Sequence, residues 1–286
     1  SVTTTDNDVP GFTVAESGGS TSVNESGTTD TFTVVLNAQP TSDVLFSLTA
    51  SDATEASVTT SLTFTPANWN TAQTATVTGL NESTVDGDQT SVITISIVDA
   101  VSNDSFDPVA DQTVSVTTVD NDTAGFTVVQ SGGSTSVSEA GTTDTFTVVL
   151  NAQPISDVVL TITSSDTGEA TVNSPLTFTA GNWNSAQTVT VTGIDDNIID
   201  GTITSTITIA VDDANSDNNF DPVANQTVSA TTTDNDSAGF TVVQSGGSTS
   251  VSEAGTTDTF TIVLNAQPAS DVVLTITSSD TGEATD

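Results

Sequence analysis

The stretch "TVDNDTAGF", residues 118–126, carries Asp120 and Asp122 one residue apart. It returns as "TTDNDVPGF" near the start of the chain and as "TTDNDSAGF" from residue 232. These paired carboxylates recur in a chain that has no Lys, no Arg and no His. Further acids stand at fixed distances ahead of each pair, among them Glu25 in "SVNES", Glu139 in "SVSEA" and Asp195, Asp196 and Asp200 in "GIDDNIIDG". Carboxylates with no cationic partner are suited above all to holding hard divalent cations, which take six to eight oxygen ligands.

Other chemistries are excluded by composition. Without Cys there is no thiolate nucleophile, disulfide or zinc–sulfur site, and without His, Lys, Arg or Tyr most general bases and phosphate clamps are absent. An enzyme is therefore not expected. The formal charge of −37 over 286 residues argues against nucleic acid, whose binding rests on cationic contacts to phosphate. It argues equally against an anionic membrane surface. No apolar run has the roughly 18–20 residues that span a bilayer, so direct membrane insertion is not expected.

Such acidity accompanies disorder when apolar residues are scarce, but 34% of this chain is hydrophobic and Val and Thr dominate. That is strand-forming chemistry. The chain also repeats itself. Gly-Phe recurs at 11, 125 and 239, a spacing of 114 residues, and Trp69 of "PANWN" returns as Trp183 of "AGNWN". Residues 125–171 and 239–285 differ at two positions only, Val148/Ile262 and Ile155/Ala269.

Within a repeat the apolar residues alternate, as half-buried strands require. They are Phe32, Val34 and Leu36; Val44, Phe46 and Leu48; Leu62 and Phe64; Ala75 and Val77; Ile93, Ile95 and Ile97; Val114 and Val116. With "GFTV" these make seven strands, separated by turn signals such as Asn-Ala-Gln-Pro and Ser-Gly-Gly-Ser. The expected fold is all-β: tandem seven-stranded immunoglobulin-like sandwiches in a linear array. The expected divisions are 1–8, the tail of a preceding repeat; 9–122, the first repeat; 123–236, the second; and 237–286, the N-terminal part of a third. The last ends after its third strand, too few to close a two-sheet core; either the chain is a window on a longer array, the expected case, or neighbouring chains supply the missing strands.

The order of these pieces resembles the Calx-beta family as found in large bacterial surface proteins. The resemblance rests on the Glu after the first strand, the "LTFTPANWNTAQTATVTG" block, the "GIDDNIIDG" loop and the closing "TTDND", and it covers essentially the whole chain. It implies an immunoglobulin-like sandwich that binds calcium at the end where consecutive domains meet. In animal exchangers such domains sense calcium; in bacterial surface proteins they act as spacers.

Sandwich topology points the same way. The loops after the first, third and fifth of the seven strands gather at one end with the exit of the last strand. In the first repeat they hold Glu25, Asp52, Asp86, Asp120 and Asp122, and in the second Glu139, Asp166, Asp195, Asp196, Asp200, Asp234 and Asp236. These are the candidate calcium ligands. Asn81-Glu82 stands where the second repeat has Asp195-Asp196, so the first seam is expected to bind more weakly. In the third copy only Glu253 and Asp280 are expected to remain. Scattered acids such as Asp30, Asp43 and Asp144 read as solvated charge, Asp99, Asp104 and Asp107 as a loop at the opposite end, and Trp69 and Trp183 as rim packing.

The sequence thus predicts a structural unit of an extracellular filament, sheath, matrix or adhesin stalk, stiffened by calcium at its joints. Its partners would be neighbouring repeats and other copies of itself. The competing reading is an extracellular ligand- or carbohydrate-binding adhesion module.

Overall fold

The computed structural model describes residue 2 and residues 7–285, and these fold as β structure with short 3-10 turns. Most of residues 1–8, expected as the tail of a preceding repeat, lies outside the described residues. The chain divides into two compact units, Ser1–Gly125 with Asn151–Ile155, and Phe126–Leu150 with Ser156–Asp286.

In the first unit the chain forms nine strands: β1 Phe12–Glu16, β2 Thr21–Asn24, β3 Thr29–Leu36, β4 Val44–Ala50, β5 Ala56–Val58, β6 Ser61–Phe64, β7 Gln73–Gly79, β8 Gln89–Ile97 and β9 Gln112–Val119. They build one sheet in the order β1-β3-β7-β5 and a second in the order β2-β9-β8-β4-β6. The seven strands expected from alternation are present, and β2 and β5 are additional. Their inward residues include Thr21 in β2 and Ala56 in β5, so they lack the pairs of large apolar residues that mark most of the other strands.

The inward residues of both sheets form one core that includes Phe12, Phe32, Val34, Phe46, Ile93 and Val116, with Trp69 packed at its margin. Phe12 and Phe46 meet across the two sheets edge to face, with ring centroids 4.8 Å apart. Burial of these apolar faces is what holds the sheets together.

The step from β1 to β2 positions the acidic end. Between them Ser17–Gly19 turns through left-handed glycines, Gly18 at φ 68° and Gly19 at φ 83°. Only glycine adopts this backbone without strain. The chain thereby crosses from the first sheet to the second, where β2 runs parallel to β9 with Asn24 opposite Val119. Glu25 follows directly, at the exit of β9.

The second unit repeats this plan with β10 Phe126–Gln130, β11 Thr135–Ser138, β12 Thr143–Leu150, β13 Val158–Ser164, β14 Ala170–Val172, β15 Leu176–Phe178, β16 Gln187–Gly193, β17 Ile203–Val211 and β18 Gln226–Thr233. Its sheets are β10-β12-β16-β14 and β11-β18-β17-β13-β15. The unit also contains β19 Phe240–Gln244 and β20 Phe260–Leu264, which pair as a two-stranded sheet.

In the third copy the stretch 271–278, expected as a strand, is not one. Its counterpart β13 is held by β15 and β17, and those partners have no equivalents within these 286 residues. The counterpart of β11 lacks its partner for the same reason, since β11 pairs with β18. β19 and β20 pair because both members of that hairpin are present. Phe240, Phe260, Leu274 and Ile276 consequently remain exposed.

Candidate metal centre

Each of the two complete repeats gathers carboxylates at the end where its last strand leaves. In the first, the backbone N–H of Glu25 donates to the Val119 carbonyl at 3.2 Å, continuing the parallel ladder by one residue. The Glu25 side chain then accepts from the Asn121 N–H at 3.1 Å. Asp120 accepts from the N–H groups of Asp122 at 2.7 Å and Gly87 at 2.8 Å, which ties the β7–β8 loop to the strand exit. The Leu80 N–H donates to the Glu55 carbonyl at 2.9 Å, so the β4–β5 loop is drawn in as well.

Two sets of ligand oxygens result, each within 4.8 Å of one another: Glu25, Asp120 and Asp122, and Glu25, Glu55 and Glu82. Glu25 belongs to both.

The second repeat reproduces the arrangement. Glu139 accepts from the Asn235 N–H at 3.1 Å, and Asp234 accepts from Asp236 at 2.6 Å and Gly201 at 2.9 Å. Its two sets are Glu139, Asp234 and Asp236, and Glu139, Glu169 and Asp200. Asp195 accepts from the Asn235 side chain at 2.8 Å, and Asp196 accepts from the Ile198 N–H at 2.7 Å.

The structure therefore brings Glu25, Asp120, Asp122, Glu139, Asp200, Asp234 and Asp236 into these sets. Asp86, Asp195 and Asp196 stand close enough to act on them electrostatically. Asp52 and Asp166 lie at the rim, where each closes a turn: Asp52 with the Thr54 N–H at 2.9 Å and Asp166 with the Gly168 N–H at 2.9 Å. Glu253 and Asp280 of the third copy are exposed and belong to no such set among the described residues.

Three members were missed in sequence: Glu55, Glu82 and Glu169. For Glu55 and Glu169 the available signal was the recurrence of Glu three residues after Asp52 and Asp166 at the 114-residue spacing, and for Glu82 it was its place at the repeat position of Asp196. The first seam is also less depleted than expected, because Asp88 supplies a further carboxylate that accepts from the Asp120 N–H at 3.2 Å. Asp30 and Asp144, read as solvated charge, instead hold the strand edges. Asp30 accepts from the Ser22 and Thr31 N–H groups, and Asp144 from those of Ser136 and Thr145.

Electrostatics set the gathered acids apart from such structural ones. Hydrogen bonds from Ser22, Ser17 and Thr31 hold the Asp30 carboxyl below the usual range. In the clusters several acids are displaced upward instead, while Asp234 is lowered by hydrogen bonds from the Gly201 and Asp236 N–H groups. Burial, followed by the charges of Asp86, Glu82, Glu25 and Asp52, pushes Glu55 up to about 7. Burial is the leading cause at Glu25, Asp86, Asp122, Glu139, Glu169 and Asp236 too, with neighbouring carboxylates adding to it.

Glu25 and Glu139 are 1% exposed, Glu55 5% and Glu169 6%. Buried oxygens of Glu55, Asp86, Asp122, Glu139, Glu169 and Asp236 have no hydrogen-bond partner among the described residues. A buried anion with neither a counter-charge nor a hydrogen bond is costly, and a divalent cation shared by these oxygens removes that cost. The donor set is all oxygen, which fits calcium and excludes the soft-metal sites.

No family model matches this chain, and no curated protein matches its sequence. Among solved structures it is similar to CBD12 from CALX1.2, with a TM-score of 0.29 and 14% identity over 69% of this chain and 79% of that one. The S-layer protein SbsC domains 4 and 5 give 0.31 and 18% over 66% and 76%. A third, the calcium binding domain CBD12 of CALX1.1, gives 0.28 and 15% over 69% and 80%. Likenesses this distant carry no argument for family or activity; the chemistry of the site rests on this chain's own residues. Among the described residues no helix is long and apolar enough to cross a membrane.

Proposed function

We propose that this chain is a run of structural repeats from an extracellular or cell-surface filament, sheath, matrix or adhesin stalk, with calcium at the repeat ends stiffening the array. The proposed units are residues 9–122 and 123–236, with 237–286 as the start of a third. The observation that carries this reading is the buried Glu139 carboxylate. One of its oxygens has no hydrogen-bond partner among the described residues, four further acids of its cluster surround it, and the chain contains no cationic side chain.

The mechanism is mechanical. Glu25 or Glu139 holds an ion between the last strand and the acidic loops, so segments far apart in sequence are fixed to one point. Extracellular modules bind calcium with Kd of about 10⁻⁴–10⁻³ M. At ten times Kd each site adds roughly 1.4 kcal/mol, and in an array such increments accumulate across neighbours.

The experiment is a thermal melt of the full chain in millimolar calcium and in chelator, with small-angle scattering in parallel. The expected result is a rise in melting temperature of roughly 3 °C or more with calcium, together with a stiffer particle. Equal melting and equal scattering in the two conditions would leave the carboxylates as surface charge and favour the adhesion-module reading.

A further inference from the structure

Each acidic loop carries an aliphatic tip that ion binding does not explain. Ile198 and Ile199 stand between Asp196 and Asp200 in "DDNIIDG", and Val85 stands between Glu82 and Asp86 in "NESTVDGD". A lone aliphatic residue in a charged loop is expected to be solvated unless another surface covers it.

Within the second unit that surface is the Ala-Gln-Pro turn of the third copy. Ile198 forms a parallel bridge with Gln267. The Gln267 N–H donates to the Asn197 carbonyl at 2.5 Å, and the Ile199 N–H donates to the Gln267 carbonyl at 3.3 Å. Ile199 lines a small apolar cavity of about 140 Å³ together with Ala266, Pro268, Phe240 and Leu264.

Within the first unit the same bridge joins Thr84 to Gln153. The Gln153 N–H donates to the Ser83 carbonyl at 2.7 Å and the Val85 N–H to the Gln153 carbonyl at 2.9 Å. Val85 is 9% exposed, and Ala152 and Pro154 are buried. Two loops of different sequence thus make one bridge to one turn in the same register; its two bonds run from main chain to main chain, while Glu82 and Asp196 accept from the N–H groups of Thr84 and Ile198.

The first repeat carries the same turn as Ala38, Gln39 and Pro40. Against it lies a cleft of about 290 Å³ floored by Asn103 and Phe106. The floor is pre-built: the Asn103 side chain donates to Thr41 at 2.6 Å, and Phe106 is fully buried. Gln39 is exposed, and among the described residues the bridge is formed only at Gln153 and Gln267.

We infer that the Ala-Gln-Pro turn is a docking socket for the aliphatic loop tip of a further copy of the repeat, and that the socket at Ala38–Gln39–Pro40 is open to such a copy. The occupant is fixed by the two filled examples: a Val or Ile tip, delivered by the β7–β8 type of loop, with two backbone hydrogen bonds. The inference rests on the tandem-repeat reading above but not on calcium, because the two hydrogen bonds to the turn run from main chain to main chain.

The test is amide hydrogen exchange on the full chain and on the same chain extended by one more copy of residues 123–236 set directly before Val9, each in calcium and in chelator. In the extended chain the Gln39 amide is expected to slow tenfold or more, to the rate of Gln153, in both conditions. Ile199→Asp in the added copy should return Gln39 to its original rate while the strand amides of that copy stay protected, which shows that the copy still folds. Unchanged exchange at Gln39, slowing that requires calcium, or free exchange at Gln153 in the original chain would each overturn the socket. A failure of the calcium reading shows itself separately, as melting that calcium does not move, and leaves the Gln39 result standing.

Discussion

Freed of divalent ions, the protein melts higher at pH 5 than at pH 7.5, and millimolar calcium reverses that order. The cause is the set of buried acids whose affinity for protons is raised in the fold. Glu55 sits at about 7, and Glu25, Glu139 and Glu169 are displaced in the same direction. In the unfolded chain a Glu titrates near 4.5.

Between these values the folded state holds more protons than the unfolded state, so stability falls as pH rises through the window. The contribution is complete below about pH 4.5 and is lost by about pH 7. Below that window the sign turns, because Asp30, Asp52, Asp234 and Asp258 are held low by hydrogen bonds and lose their contribution on protonation. Calcium needs the carboxylates charged, and its stabilisation therefore grows over the range in which the proton's fades.

Calorimetry at the two pH values, in chelator and in calcium, checks this. A difference of roughly 5 °C in the metal-free protein is expected. A metal-free protein that is more stable at pH 7.5 would mean that the acids are solvated after all.

The second large effect is steric. Gly193 closes β16 against β11, and a Cβ there would collide with the backbone carbonyl of Ser138. Gly79 meets the backbone of Asn24 in the same way in the first repeat. Neither contact can yield by moving a flexible side chain, since the obstacle is main chain. Ser138 and Asn24 immediately precede Glu139 and Glu25, so a methyl group at either glycine displaces the central ligand as well as the sheet.

Gly193→Ala is expected to cost on the order of 3 kcal/mol, a fall of about 6–12 °C in melting temperature, and to reduce the calcium-induced rise. Thermal melts with and without calcium measure both. A variant that melts like the parent would show that β11 and β16 do not approach as described.

The long strands were legible because their side chains alternate. Phe32, Val34 and Leu36 announce β3, and Ile93 and Ile95 announce β8. β2 and β5 escaped because Thr21 and Ala56 stand at inward positions where most of the other strands carry large apolar residues, yet β2 is the element that delivers Glu25. The expectation that Glu25, Asp120 and Asp122 gather came from the Calx-beta resemblance and from strand order together, since loops at one end of a sandwich meet.

Glu55 and Glu169 did not follow. "ATEAS" and "TGEAT" carry no pattern that marks these acids; they are drawn inward where Leu80 and Thr118 donate to the Glu55 carbonyl, and Ile194 and Thr232 to that of Glu169. Asp30 and Asp144 show the converse. Nothing in sequence separates a carboxylate that binds its neighbours' N–H groups from one that faces solvent, because the difference lies in backbone geometry across a hairpin. The stretch 271–278 has full strand chemistry and still forms no strand, since a strand is completed by its partners.

The central claim is that carboxylates at the repeat ends are calcium ligands organised by Glu25 and Glu139. It is tested most directly by a calcium-binding isotherm of the full chain at pH 7.5, beside that of the double variant Glu25→Gln with Glu139→Gln. Saturable binding with Kd of about 10⁻⁴–10⁻³ M, lost in the double variant while its β structure persists, is the predicted result. Absence of saturable binding, or binding that the two substitutions leave unchanged, would contradict it.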